Sequence, residues 1–162
     1  MKAVVYSSKT GFSERYAQMI ANKLSLPAYS LKDAKRSLAQ GTEIIYVACV
    51  RANKIADFDK AQKLFNIAAV CAVGLFPKCS AVFDVLRETN NPACPLFYLR
   101  GGVDYKRLGA LDKLVLRMVR EDAEKNAKSE DAELLDVLKN GGDFVSEENL
   151  TEVIAFALLK GE

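Results

Sequence analysis

Residues 4–20 read VVYSSKTGFSERYAQMI, the most informative segment of the sequence for the fold. The β-branched, apolar run Lys2–Tyr6 is typical of a buried strand. Apolar side chains recur at helical spacing from Tyr16 to Ile20, which predicts a helix over Glu14–Leu24. A short loop rich in hydroxyl groups, residues 7–13, separates the two. The stretch therefore predicts the strand, loop and helix that begin an α/β domain.

The loop has the chemistry of an anion site. A helix N-terminus offers unpaired N–H groups and a partial positive charge, and both favour a phosphate. Ser8, Thr10 and Ser13 add hydroxyl groups, and Gly11 lets the backbone curl around an anion. The loop lacks the Gly-Lys-Ser/Thr ending of a Walker loop and the three glycines of a dinucleotide fingerprint. The alternative interpretation is a plain strand-to-helix turn capped by serine and threonine.

The rest of the chain continues the alternation of strands and helices. Further strands are predicted at Pro27–Leu31, Glu43–Val50, Asn66–Leu75 and Pro95–Arg100, with helices at Asp33–Leu38, Phe58–Asn66 and Ala81–Arg87. Five buried strands separated by helices imply a parallel sheet covered on both faces. The chain is then helical to its end, over Leu108–Arg120, Asp131–Lys139 and Glu147–Leu159, with Ser146 as the N-cap of the last helix. The length of 162 residues suits one domain, 1–162.

The composition excludes several kinds of site. Histidine is absent from the sequence, which removes Ser-His and Cys-His catalysis and histidine-ligated metals. The four cysteines form no C-x-x-C pair, which argues against a disulfide framework or a cysteine zinc site. Two of them, Cys49 and Cys71, lie in apolar runs and are interpreted as small buried hydrophobes. If the chain is an enzyme, a cofactor is expected to carry the chemistry.

Charge and hydropathy indicate which partners and which cellular location to expect. The net charge is +2 with both signs mixed, so no basic face of the kind that binds nucleic acid is expected. No apolar run approaches the ~20 residues of a spanning helix. The N-terminus lacks the apolar core of a signal peptide. We therefore expect a cytoplasmic protein.

Ligands on parallel sheets bind beyond the carboxyl ends of the strands, so the loops after strands one, three and five are the candidate site. In the second of these loops, the candidates are Val50, Arg51, Ala52 and Asn53; Arg51 can stack on a planar ligand and Asn53 can adopt a left-handed conformation. The alternative for this loop is a solvated basic turn.

The third candidate loop follows strand five and contains Arg100, Gly101, Gly102 and Tyr105. The two glycines can bring backbone N–H groups close to a ligand edge. Tyr105 either supplies an aromatic wall or packs under the next helix.

The residues Val4–Ser13, followed by Ala17 and Ile20, resemble the flavodoxin signature, a hydroxyl-x-Thr-Gly-x-Thr core after an apolar strand. The resemblance implies a three-layer flavodoxin-like sandwich with strand order 2-1-3-4-5 and FMN as cofactor. It also implies that a loop comprising Ser8, Lys9, Thr10, Gly11, Phe12 and Ser13 wraps the FMN phosphate. The stretch from Phe97 to Leu114 is similar to the branch that includes protoporphyrinogen dehydrogenases, which carry a helical insertion after the fifth strand.

The resemblance implies an FMN-binding redox protein. Shuttle flavodoxins are strongly acidic, so a net charge of +2 favours an oxidoreductase that acts on a small molecule, a porphyrinogen or a quinone, over a shuttle with a protein partner. Two alternatives stay open, a flavodoxin-fold binding module that has lost FMN and a phosphate-handling enzyme. The basic amphipathic segment Leu108–Arg120 either contacts an anionic membrane or a partner, or simply covers the sheet.

Overall fold

The computed structural model describes residues 1–126 and 132–161. Five parallel strands form its central sheet in the order β2-β1-β3-β5-β6. Their bounds are β1 Ala3–Ser7, β2 Ala28–Ser30, β3 Glu43–Arg51, β5 Asn66–Gly74 and β6 Leu96–Arg100. The predicted five-stranded parallel sheet and its order 2-1-3-4-5 are therefore confirmed, because β5 and β6 are the fourth and fifth predicted strands.

Helices cover both faces of the sheet, as side-chain alternation along buried strands requires. On one face, Val5 and Tyr46 pack with residues of α2, α3 and α4. On the other face, Val4 and Ile45 pack with residues of α1 and α7. The bounds are α1 Phe12–Leu24, α2 Leu31–Ser37, α3 Phe58–Leu64, α4 Ser80–Asn90 and α7 Thr151–Gly161. The three-layer architecture follows from this division.

The last helix differs from its prediction. The segment predicted as one helix is a 3-10 helix, Glu147–Leu150, followed by α7. Ser146 caps the 3-10 helix, because its Oγ accepts a hydrogen bond of 3.2 Å from the amide of Glu148. Helix α6, Ala132–Asn140, agrees with the predicted second helix, whose first residue, Asp131, lies outside the described residues.

Two short antiparallel pairings at the carboxyl edge of the sheet were not predicted. Strand β3 turns directly into β4, Lys54–Ile55, through Ala52 and Asn53 at φ values of 46° and 63°. These two left-handed residues form the tight turn of a β-hairpin. The second candidate loop is thus the tip of a hairpin, residues 50–55, and the predicted left-handed Asn53 is confirmed. Further along, β7, Gly102–Val103, pairs with β8, Gly142–Asp143.

The insertion after β6 consists of α5, Ala110–Asn126, packed against α6. Helix α5 does not bury its main apolar stripe. Leu111 is 78% exposed and Met118 62%, with Leu114 and Val115 more than half exposed. The alternative that this helix simply covers the sheet is therefore wrong for its apolar stripe.

Candidate functional site

The first loop presents an open helix N-terminus. Gly11, at φ 94°, precedes α1, and among the described residues no side chain caps this end of the helix. The first helical hydrogen bond runs from the amide of Arg15 to the carbonyl of Gly11, at 3.0 Å. The amide of Gly11 itself donates to Ser8 Oγ at 3.1 Å. The three amides of residues 12–14 therefore remain as donors, which is the arrangement that binds an anion.

Ser13 adds a buried hydroxyl to this end of the helix. Its side chain is 1% exposed, and Oγ has no hydrogen-bond partner among the described residues. An unsatisfied buried hydroxyl costs about 1–3 kcal/mol, so native structures rarely keep one without a reason. A phosphate oxygen at the uncapped helix end would satisfy it. The residues present therefore fit a phosphate group.

The other residues of the first loop have different surroundings. Phe12 is buried among residues of the α1 face of the sheet and therefore acts in packing. Lys9 is exposed, and Thr10 is half-buried with its carbonyl accepting a 3.3 Å hydrogen bond from Arg107 Nη1.

The first loop and the hairpin share a cavity of about 480 Å³. Ser7 and Lys9 line one side, and Arg51 with Cys49 lines another. Asp57, at the start of α3, faces this cavity and accepts hydrogen bonds from Lys60 Nζ at 2.6 Å and from Ser7 Oγ at 2.8 Å. These two donors lower the pKa of the Asp57 carboxyl, so its negative charge is retained at the cavity wall.

Asn90 holds the hairpin in place, and sequence reasoning missed it. Its Oδ1 accepts from the amide of Ile55 and its Nδ2 donates to the carbonyl of Asn53, both at 2.8 Å. The side chain lies at the end of α4, 37 residues from Asn53. The only signal in the sequence was the pair Asn90-Asn91, which marks a helix end and does not indicate a long-range contact.

The glycines of the third loop have structural roles in the fold. The amide of Gly101 donates to Gly74 O at 2.7 Å, so this donor is used inside the fold and not left for a ligand. A Cβ on Gly102 would overlap the backbone oxygen of Gly142. Close packing thus accounts for glycine at this position.

Arg100 and Tyr105 attach the insertion to the sheet. The guanidinium of Arg100 lies 3.6 Å from the centre of the Phe144 ring and pairs with Glu133 of α6 at 2.7 Å. The hydroxyl of Tyr105 donates to Leu138 O, also in α6, so this side chain packs against the insertion. Ligand contact by Arg100, Gly102 or Tyr105 stays a prediction.

The first and third loops share a different cavity, of about 440 Å³. Gly11 and Tyr105 line it, together with the basic side chains Arg15, Lys106 and Arg107. Of the predicted site residues, Lys9 and Arg51 therefore line one cavity, and Thr10, Gly11, Phe12 and Tyr105 line the other.

The loop after β5, residues 75–79, was not predicted as part of the site. Val73 pairs with Cys49, which places the end of β5 beside β3, whereas β6 is one strand further away. This loop therefore adjoins the hairpin more directly than residues 100–105 do. It carries Phe76, which is 44% exposed and whose carbonyl accepts a 2.9 Å hydrogen bond from the hydroxyl of Tyr98. The Leu75-Phe76-Pro77 ending of the apolar run was the available signal.

The described part of the chain contains neither a disulfide nor a cluster of metal ligands. All four cysteines are free thiols, and the described residues hold no cluster of metal ligands. Cys71 is buried, as predicted, whereas Cys49 is only half-buried at the cavity wall. Burial raises the pKa of the Cys49 thiol, which Arg51 partly offsets, so the thiol stays protonated near neutral pH. In residues 1–126 and 132–161, no helix is long and apolar enough to span a bilayer.

Comparison with known proteins agrees with this geometry. No curated protein matches the chain. A family model described as "Flavodoxin domain" matches residues 3–130, which includes the parallel sheet, the first loop and all of α5. Because the match spans most of the chain, the chain belongs to the flavodoxin domain family.

Proposed function

We propose that this chain binds FMN and functions as a redox protein. The observation that carries the proposal is the buried Ser13 hydroxyl at the N-terminus of α1, where the described part of the chain supplies neither a partner for Oγ nor a side-chain cap. Both features favour a phosphate at the loop Ser8, Lys9, Thr10, Gly11, Phe12 and Ser13. When bound, FMN supplies the redox chemistry, and the protein sets its orientation and access.

The cavity between the first loop and the hairpin is the proposed place of the flavin ring. Its volume of about 480 Å³ lies within the range typical of cofactor sites, roughly 300–1,000 Å³. Arg51 lines this cavity, and the proposal adds contacts to the ring from Val50, Ala52 and Asn53 of the same hairpin. Phe76, exposed on the neighbouring loop, would supply an aromatic face.

The charge distribution supports an oxidoreductase rather than an acidic electron shuttle. The net charge is +2, and residues 106–120 contain five basic residues and one acidic residue. The helical insertion after the fifth strand supports the branch similar to protoporphyrinogen dehydrogenases, and with it a porphyrinogen or quinone as substrate. The test is anaerobic mixing of FMN-loaded protein with NAD(P)H and with reduced quinones. We expect one of these small molecules to reduce the flavin, whereas in a shuttle only a protein partner would reduce it.

The exposed apolar stripe of α5 is the proposed contact with a membrane surface. Leu111, Leu114, Val115 and Met118 are exposed beside the net positive charge of the segment, a combination that suits anionic lipid headgroups. We expect cosedimentation with phosphatidylglycerol vesicles, weakened by Leu111→Ser and by salt. Equal binding to uncharged phosphatidylcholine vesicles, or none to either, would contradict this contact.

A direct test of FMN binding is the quenching of FMN fluorescence on titration. We expect quenching by the wild-type protein and its loss in Gly11→Ala, because an L side chain is strained at a φ of 94° and would distort the loop proposed to hold the phosphate. Gly41→Ala is the matched control, since Gly41 also has a positive φ, of 79°, with open space around it. A wild-type protein that leaves FMN fluorescence unchanged would refute the proposal and favour a binding module without FMN.

A further inference from the structure

Arg107 is a basic side chain that the insertion brings onto the first loop. It lies between β7 and α5, 97 residues from Thr10 in the sequence, yet its Nη1 donates to Thr10 O at 3.3 Å. The same Nη1 lies 2.6 Å from the position that a Cβ on Gly11 would take. The guanidinium is therefore in contact with the backbone that leads into the open N-terminus of α1.

The contacts of Arg107 leave its charge available. Its ion pair with Asp104 is long, at 3.5 Å, and its side chain is 63% exposed. Arg15 lines the same cavity between the first and third loops, and its guanidinium forms an ion pair with Asp143 at 2.5 Å. Among the cations near the loop, Arg107 thus combines proximity to the helix end with a weak internal partner.

The start of α5 is tied to the hairpin as well. Asp112, in the first turn of this helix, forms an ion pair with Arg51. Residues 107–112 therefore contact the first loop at one end and the hairpin at the other. This double attachment fixes where the backbone of Arg107 lies relative to the loop.

We propose that Arg107 binds the phosphate of FMN and makes the site select a phosphate monoester over the dephosphorylated flavin. The proposal rests on the proposed function, and it assigns to the insertion a direct part in cofactor binding. A guanidinium is suited to this because its N–H groups match two phosphate oxygens at once. Together with Ser13 Oγ and the amides of residues 12–14, it would complete a site with donors from two segments that lie far apart in the sequence.

The test compares FMN with riboflavin, which has the same ring and no phosphate. We expect Arg107→Ala to raise the Kd for FMN by about 5- to 30-fold and to leave that for riboflavin within about twofold, since one charge-assisted contact is lost. Arg107→Lys should recover part of the affinity. The Kd for FMN should also depend less on salt in Arg107→Ala than in wild type. Arg117→Ala is the matched control, because Arg117 is an exposed arginine of the same insertion paired with Glu121.

Equal losses for FMN and riboflavin, or no change for either, would overturn the assignment of Arg107 while leaving FMN binding itself intact. A wild-type protein that binds neither flavin would overturn the proposed function and this inference together. The two failures are therefore distinguishable in one set of titrations. Because Arg107 is largely exposed, its variants are expected to fold, and a thermal unfolding curve checks this.

Discussion

Ser13→Ala should change the stability of the apoprotein and its affinity for FMN in opposite directions. The Ser13 hydroxyl is buried and has no partner in residues 1–126 and 132–161, and such a group costs about 1–3 kcal/mol. Alanine removes this cost and is the better helix former, at the loss of one packed atom. We therefore expect the free energy of unfolding of the apoprotein to rise by about 0.5–2 kcal/mol.

The effect on binding follows from the hydrogen bond to phosphate that the variant cannot make. A hydrogen bond to a charged group contributes about 1.5–3 kcal/mol, which corresponds to a loss of affinity of roughly 10- to 150-fold. With FMN at about 100 times the wild-type Kd, binding stabilises the wild type by about 2.7 kcal/mol. A 30-fold weaker variant would gain only about 0.9 kcal/mol under the same conditions.

The assay is urea unfolding with and without FMN, accompanied by fluorescence titration. Ser80→Ala is the control, because Ser80 is exposed in the first turn of α4. A lower stability of the Ser13→Ala apoprotein would show that the hydroxyl has a structural partner. An unchanged Kd for FMN would show that the phosphate does not contact Ser13. Either result would refute the reasoning from the unpartnered hydroxyl.

Three further predictions concern the fold around the site. Ala52→Asn should stabilise the protein by about 0.5–1.5 kcal/mol in urea unfolding, because asparagine tolerates the left-handed conformation better than alanine. Gly102→Ala should destabilise it by about 1–3 kcal/mol, because the new Cβ would overlap Gly142 O. Glu43 pairs with Lys160 Nζ at 2.8 Å and with the N-terminal ammonium at 2.9 Å, and these partners lower the pKa of its carboxyl. Glu43→Gln should therefore cost about 0.3–1 kcal/mol at pH 7, and the difference from wild type should vanish as the pH falls through the lowered pKa.

Each of these has a contrary outcome. The Ala52→Asn prediction is compared with the opposite substitution next to it. If Asn53→Ala stabilised the protein as much as Ala52→Asn, the left-handed backbone conformation would not limit the stability of the turn. Unchanged unfolding of Gly102→Ala would mean that the β7–β8 contact is not part of the cooperative fold. For Glu43→Gln, a stability difference that persists below the lowered pKa would remove the ion pairs as its cause. Thermal or urea unfolding gives the measurement in all three cases, and for Glu43→Gln it is repeated across pH.

Sequence reasoning reached one part of the candidate site more easily than the other. The first loop was found because its hydroxyls, glycine and helix start are consecutive and their chemistry is local. Asn90 and Arg107 were not, since each contacts a loop that lies far away in the chain. The loop with Phe76 was passed over because its neighbour in space depends on the strand order, β5 beside β3, which is set by the whole sheet.

The parallel α/β fold of this protein and its hydroxyl-rich first loop could be predicted from the sequence alone. Strand and helix periodicity act over a few residues, so they can be recognised without knowing what they pack against. Three features became visible only in the folded protein: α5 leaves Leu111 and Met118 exposed, Tyr105 packs against α6, and Ala52 has a left-handed backbone conformation. These features depend on which surfaces meet and on the geometry of a turn between paired strands, where long-range contacts outweigh local preference.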